Sequence, residues 1–210
     1  MRAALSIAAA IFASGAAIAA PDDALSMGPG SYIYWASAYD GGNDTFREAL
    51  LAQGEDFAIF QSISEWTEGG PADYFALFSG IFYVPCDADM PTMEERDAIA
   101  GLYPLTTGNT AAVETGGGAS FTVGEATEFF LMGRSRPAHR ISSTYAGDEP
   151  SEETIIVLDD TPLTALIQWD ESSRDSARLI TSPKSVASTP VDTDLIGTCA
   201  SLLNTLTNEN

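Results

Sequence analysis

The sequence predicts an α+β fold dominated by an antiparallel β meander, closed as a barrel or a sandwich, with two short helices and a C-terminal helix. Seven short apolar runs, separated by turn residues, follow one another between residues 110 and 182. The connections between them are too short for the crossover helices that parallel strands require. A periodic apolar stripe near the end of the chain predicts the C-terminal helix.

The first twenty residues have the pattern of a secretory signal peptide. Arg2 precedes an uncharged, alanine-rich run that ends in the A-x-A sequence at residues 17–19. Cleavage after Ala19 is expected, because cleavage one residue later would leave Pro21 next to the cut bond. We therefore expect residues 1–19 to be removed and residues 20–210 to form one exported domain, periplasmic or secreted in a bacterium. The alternative is an uncleaved anchor at the lower length limit for a membrane span.

Two predicted strands and a helix precede the middle of the chain. A strand is expected at 31–39 and another at 57–63. Between them, Thr45-Phe46-Arg47-Glu48 has the form of a capping box, which predicts a short helix ended by Gly54. A longer strand at 74–84 follows. The aromatic run at 74–83 inside it indicates either a strand buried on both faces or the lining of an apolar pocket.

A second capping box, Thr92-Met93-Glu94-Glu95, opens a predicted helix that runs to about Leu102 and completes a strand-and-helix part at 31–105. The β meander is assigned to 110–182, with strand-like runs at 111–114, 120–123, 128–132, 140–145, 154–158, 163–169 and 177–181. The C-terminal helix is assigned to 194–206, with Asp192 or Thr193 as its cap.

The formal net charge is -21, and Lys184 is the only lysine. Binding to nucleic acid or to anionic lipid depends on clustered Lys and Arg, so neither partner is expected. No transmembrane segment is expected after signal cleavage. The acidity itself favours a solvated surface, with binding of cations or of a basic protein as the alternative.

The two cysteines, Cys86 and Cys199, both lie in the exported part of the chain. An even number of cysteines in an oxidising compartment favours one disulfide bond, and two buried free thiols are the alternative. A metal site is not expected, because CxxC spacing and histidine partners are missing. No cofactor is expected either, since Walker and dinucleotide-binding sequences are absent.

His139 is the sole histidine and it lies in an arginine-rich segment with Arg134, Arg136 and Arg140. The planar guanidinium group suits carboxylates and phosphates, so these four residues are the candidate site for a small anionic ligand. The alternative is that the arginines pair with the chain's own carboxylates and stabilise a turn. Asp159-Asp160 is one of several acidic pairs, which are expected at turns and would otherwise be calcium ligands.

No catalytic residue is assigned, because the sequence has neither a G-x-S-x-G elbow nor an HExxH motif. The favoured hypothesis is a non-enzymatic binding module with an anionic or apolar ligand. One alternative is an envelope-associated domain that binds a protein partner. The other is a hydrolase of unrecognised type that uses acidic residues.

Overall fold

Eleven antiparallel strands form the body of the protein in a computed structural model that describes residues 29–39, 42–63, 70, 73–131, 133–146, 151–161, 163–168, 176–185 and 196–208. Their bounds are β1 Ser31–Tyr39, β2 Gly42–Gln53, β3 Phe57–Ile63, β4 Tyr74–Phe78, β5 Phe82–Pro85, β6 Thr110–Val113, β7 Ala119–Leu131, β8 Arg134–Tyr145, β9 Ser151–Leu158, β10 Thr164–Gln168 and β11 Ser176–Ser185. The helices are α1 Met93–Ala100 and α2 Ala200–Asn208, with short 3-10 turns at Thr115–Gly117 and Gly197–Cys199. The predicted β-dominated α+β fold class is confirmed. The signal-peptide segment, the proposed caps Asp192 and Thr193, and Leu195 lie outside the described residues.

The strand order is β5-β4-β3-β2-β1-β11-β10-β9-β8-β7-β6. Two five-stranded meanders, β1 to β5 and β6 to β10, are thus joined through β11, and α1 connects their outer strands along the chain. Phe82 of β5 packs edge-on against Phe121 of β7, with ring centroids 5.4 Å apart. The sheet therefore curls until its two meanders enclose a common core.

The helix predicted from Thr45-Phe46-Arg47-Glu48 is wrong, because this segment is part of β2. β2 pairs with β1 from Tyr32↔Ala49 to Tyr39↔Gly42, and with β3 on its other side. The Nε1–H of Trp35 on β1 also donates to the Glu48 carboxylate at 2.9 Å. Pairing along both edges satisfies the backbone of β2, and this outweighs a local capping pattern.

The single strand predicted at 74–84 is a hairpin of β4 and β5. Ser79 and Gly80 both have positive φ, 49° and 70°, and the N–H of Ile81 donates to the Phe78 carbonyl at 2.9 Å. A type I′ turn needs positive φ at both central positions, which glycine adopts without strain. Gly80 therefore reverses the chain and does not lie inside a strand.

Two further predictions of strand boundaries are corrected in the second meander. The runs at 120–123 and 128–132 belong to the single strand β7, in which the register with β8 shifts between Val123 and Ala126. β8 begins at Arg134, six residues before the predicted start, so the arginine-rich segment lies on a strand. Cross-strand pairing with β7 and β9 extends this strand beyond its apolar part.

The core consists of two clusters of buried residues, and several strands contribute side chains to both. β4 contributes to both, since Tyr74, Ala76 and Phe78 belong to the first cluster and Phe75 and Leu77 to the second. The first half of the aromatic run, β4, is thus buried on both faces, as one of the two sequence interpretations stated, whereas Tyr83 of β5 is 44% exposed. The first cluster also contains Ile99 of α1 and Leu202 of α2, so both helices pack on the sheet.

Helix α1 begins at the predicted capping box. Thr92 accepts from the Glu95 N–H, and the Glu95 carboxylate accepts from the Thr92 N–H at 2.7 Å. The same carboxylate accepts from the N–H groups of Glu114 and Thr115, at 2.7 and 2.9 Å. Desolvation alone would raise the pKa of Glu95, but hydrogen bonds from Thr115, Thr92 and Glu114 lower it to about 2.

Cys86 and Cys199 form a disulfide bond, with their Cα atoms 5.2 Å apart. Both residues are fully buried. Beside the bond, Thr198 donates from its N–H to the Cys86 carbonyl at 2.8 Å and from its hydroxyl to the Ala88 carbonyl at 2.7 Å. The disulfide therefore fixes the start of the C-terminal helix against the end of β5.

Replacing Cys86 with serine should lower the melting temperature of the oxidised protein by roughly 10 °C. Closing a loop across 113 residues stabilises the fold by about 5 kcal/mol in the chain-entropy model. Cys199→Ser should have the same effect, and the double variant should lose no more, as thermal denaturation by circular dichroism would show. Equal melting curves for Cys86→Ser and the oxidised wild type would contradict the bond.

Replacing Glu95 with glutamine should weaken the acid dependence of stability. With a folded pKa of about 2 against an ordinary value of 4.5, the ionised carboxylate stabilises the fold fully above about pH 4.5 and loses this effect as pH falls towards 2. Urea unfolding between pH 2 and 6 measures how steeply the free energy of unfolding changes with pH. Glu94→Gln, an exposed neighbour in the same turn, is the control, and an unchanged slope for Glu95→Gln would contradict the assignment.

Candidate functional site

A cleft of about 710 Å³ opens beside helix α1. Its walls are the turn at 53–58 between β2 and β3, the turn of Ser79 and Gly80, one face of α1, and the loop at 159–161 after β9. Thr205 of α2 also reaches it. Both meanders and both helices thus contribute to one concave surface, and its volume is typical of small-molecule sites.

Arg96 of α1 and Asp56 of the β2–β3 turn form the central ion pair of the cleft. The guanidinium Nε and Nη2 atoms each lie 2.6 Å from one carboxylate oxygen. The guanidinium carbon also lies 5.4 Å from the ring centre of Phe57 and 5.8 Å from that of Phe78. The hydrogen bond with Asp56 raises the pKa of Arg96, so this wall of the cleft holds a permanent cation between a carboxylate and two ring faces.

Hydrogen bonds fix the β4–β5 turn, which lines the cleft. The Tyr103 hydroxyl donates to the Ser79 carbonyl at 3.0 Å, and the Thr164 hydroxyl donates to the Gly80 carbonyl at 2.7 Å. Burial, helped by the charge of Asp159, raises the pKa of Tyr103, so its hydroxyl stays a donor. Thr164 belongs to β10, and its bond ties the second meander to the first.

Another wall of the cleft is formed by the loop that carries Asp159 and Asp160. The Nδ1 atom of His139 lies 2.8 Å from an Asp159 oxygen, and the Nε–H of Arg136 donates to Asp160 at 3.1 Å. Two of the four candidate ligand residues predicted from the sequence therefore support a wall of the cleft from β8 and have intramolecular carboxylate partners. The other two, Arg134 and Arg140, are exposed on β8.

Sequence reasoning missed the residues that shape this cleft. Arg96 and Asp56 are 40 positions apart, and no local pattern indicates that they meet. Asp159 and Asp160 were identified as an acidic pair, but their partners on β8 become visible only with the strand pairing. Among the described residues, no group of three or more His, Cys, Asp or Glu side chains could hold a metal ion.

A second titratable cluster lies on the first meander, away from the cleft. Burial raises the pKa of Glu48 to about 8, although the hydrogen bond from Trp35 acts in the opposite direction. Burial also raises the pKa of Tyr83 to about 12, helped by the charges of Glu48 and Asp87. Glu48 therefore binds a proton more readily than an exposed carboxyl group, and its hydrogen bond with Trp35 joins β2 to β1.

Comparison with protein-family models gives no match, and comparison with curated proteins gives none. Among solved structures, the chain is similar to the crystal structure of the hypothetical lipoprotein YmcC from Escherichia coli (K12). The identity is 12%, the TM-score is 0.45, and the similarity covers 76% of this chain and 89% of that one.

None of the helices in the described part of the chain is long and apolar enough to span a membrane.

Breaking the Arg96–Asp56 pair should destabilise the protein by about 2 kcal/mol, because charge-assisted hydrogen bonds are lost and a partly buried charge stays behind. We expect this for Arg96→Met and for Asp56→Asn, measured by urea unfolding. The double variant should be more stable than the sum of the two losses predicts, with a coupling of about 1 kcal/mol. Strictly additive losses would mean that the two side chains do not stabilise each other.

Proposed function

We propose that this chain is an exported, non-enzymatic binding module and that the cleft beside α1 is its ligand site. The observation that carries the proposal is the cleft itself, with its volume of about 710 Å³ and its walls drawn from both meanders. Hydrogen bonds and ion pairs between distant segments hold these walls in place, and such preorganisation favours binding of a small ligand.

The surroundings of His139 favour binding over hydrolysis. A Ser-His-Asp arrangement would use the His139–Asp159 contact to orient the ring and would place a hydroxyl at the other ring nitrogen. In the described part of the chain, no hydrogen bond joins a hydroxyl to that nitrogen, and Asp159 is the partner of His139. The pair thus has a bracing role in the wall of the cleft.

The proposal of export rests on the signal-peptide pattern at residues 1–19 and on the disulfide bond of Cys86 with Cys199. Disulfide bonds persist in oxidising compartments such as the bacterial periplasm and the cell exterior. A periplasmic or secreted location is therefore part of this proposal.

A ligand of the cleft should raise the melting temperature of the wild type but not of a protein whose cleft is filled. Ala100, which lines the cleft from α1, is replaced by phenylalanine. The matched control is Ala98→Phe, on the same helix but exposed and outside the cleft. A library of small anions, cations and neutral sugars is screened by thermal shift, and binders should stabilise the wild type and Ala98→Phe by a few degrees.

Met93→Trp is a second filled variant, and its starting side chain is 72% exposed, so the fold should tolerate it. If Ala100→Phe and Met93→Trp respond to binders like the wild type, or if no compound stabilises the wild type, the cleft is not the ligand site.

The anionic-ligand hypothesis for Arg134, Arg136, His139 and Arg140 is tested in the same screen. Arg134 and Arg140 are exposed and lie outside the cleft, so Arg134→Gln with Arg140→Gln should leave cleft binding unchanged. An anion that stabilises the wild type and Ala100→Phe, but not this double variant, would support the β8 site in place of the cleft.

A further inference from the structure

Ser79 is a buried serine that lines the cleft beside α1, and it is 9% exposed. Both of its backbone groups are bonded within the protein, since its N–H donates to the Asp56 carbonyl at 2.8 Å and its carbonyl accepts from the Tyr103 hydroxyl at 3.0 Å. Its own hydroxyl forms no hydrogen bond with any described residue. Because a buried hydroxyl without a partner costs free energy, this group is a ready partner for a molecule in the cleft.

The β4–β5 turn gives no structural reason for a serine at position 79. Ser79 has a positive φ of 49°, which glycine adopts without strain and other residues rarely adopt. The next position is a glycine, Gly80, with a φ of 70°. The serine thus adds strain and an unpartnered hydroxyl to the turn, which agrees with a role of this side chain in binding.

The ion pairs of the cleft leave some hydrogen-bonding atoms unused. Arg96 bonds to Asp56 through Nε and Nη2, so the two N–H groups of its Nη1 atom have no partner among the described residues. Both bonds from Arg136 go to one oxygen of Asp160, and the other oxygen has no partner in the described part of the chain. Arg96 and Asp160 line the cleft, which therefore offers a donor and an acceptor whose charges are already paired.

Such a lining suits a neutral ligand better than a charged one. Five carboxylates and one guanidinium line the cleft, and this excess of negative charge repels anions. Among the described residues, a cation would find only Glu55 and Asp97 without an ion-pair partner, and both are exposed to water, where an ion pair contributes little. Hydroxyl groups, in contrast, accept from donors such as Arg96 and donate to acceptors such as Asp160.

We propose that the ligand of the cleft is a small neutral polyol, a carbon skeleton with several hydroxyl groups, and that the Ser79 hydroxyl bonds to one of them. Met93, which is 72% exposed and lines the cleft, contacts the carbon skeleton. This inference rests on the proposed function and adds the ligand class to it. It differs from the anionic ligand that the arginine-rich segment suggests.

The test uses probes built on one six-membered ring that differ in charge and in the number of hydroxyl groups. The polyols myo-inositol and glucose are compared with cyclohexanol, cyclohexylamine and cyclohexanecarboxylate by saturation-transfer NMR and isothermal titration calorimetry, on the full exported chain. The two polyols should bind with an affinity that added salt does not change, because no net charge is paired. The other three probes should bind at least about tenfold more weakly.

Two variants of Ser79 separate the role of its hydroxyl from a role in folding. Ser79→Ala removes the hydroxyl and should weaken polyol binding about tenfold. Ser79→Gly removes it from a residue that adopts the positive φ without strain, so it should show the same loss of affinity with an intact melting curve. Ser143→Ala is the matched control, because Ser143 is 1% exposed and lies outside the cleft, and it should bind the polyols like the wild type.

Wild-type affinity for the polyols in both Ser79 variants would overturn the inference. If a compound that is not a neutral polyol binds as tightly as the polyols, or binds alone, and Ala100→Phe abolishes this binding, the ligand class is wrong and the cleft remains the ligand site. If no probe and no library compound binds in a way that Ala100→Phe abolishes, the inference and the proposed function both fail.

Discussion

The backbone hydrogen bonds between β1 and β11 hold the two meanders in one sheet. Without this ladder, which runs from Ser31↔Ser185 to Ala38↔Ser176, each meander would end in an unpaired central strand. The contacts that shape the cleft depend on the β1–β11 ladder. The curl of a single sheet brings the β4–β5 turn to Thr164 of β10, and α1 then bridges the outer strands. The cleft is therefore a consequence of the curl of this sheet.

Elements whose signal is local could be predicted from the sequence. The capping box at Thr92 and Glu95 forms in the structure as its residues require, and most strand-like runs of the second meander are strands. The helix predicted in the β2 segment was wrong because its capping pattern is local, whereas the hydrogen-bond partners of this segment lie on β1 and β3. Where a local helical pattern competes with pairing to neighbouring strands, the non-local pairing decides the conformation of the segment.

The site was less accessible to sequence reasoning than the fold. Arg136 and His139 stood out by composition, but their partners Asp159 and Asp160 are brought close by the register of β8 with β9, which one sequence does not reveal. Arg96 carried no signal at all, because its importance comes from Asp56 across the cleft. In a chain with 9 basic and 30 acidic residues, Arg96 and Arg136 each form an ion pair that joins segments distant in the sequence.

The position of β1 and β11 at the centre of the sheet has a consequence for the order of folding. β1, the first described strand, pairs on one side with β11, the last one. Ser31 is opposite Ser185 in this ladder, so the pairing spans most of the chain. Hairpins within each meander need only short loops and can form early, whereas this ladder closes a very long loop and forms late. A chain that emerges N-terminus first thus cannot complete its sheet until nearly all of its residues have emerged. With the export that we propose, this delay keeps the polypeptide unfolded during its passage, and the bond between Cys86 and Cys199 then stabilises the finished fold.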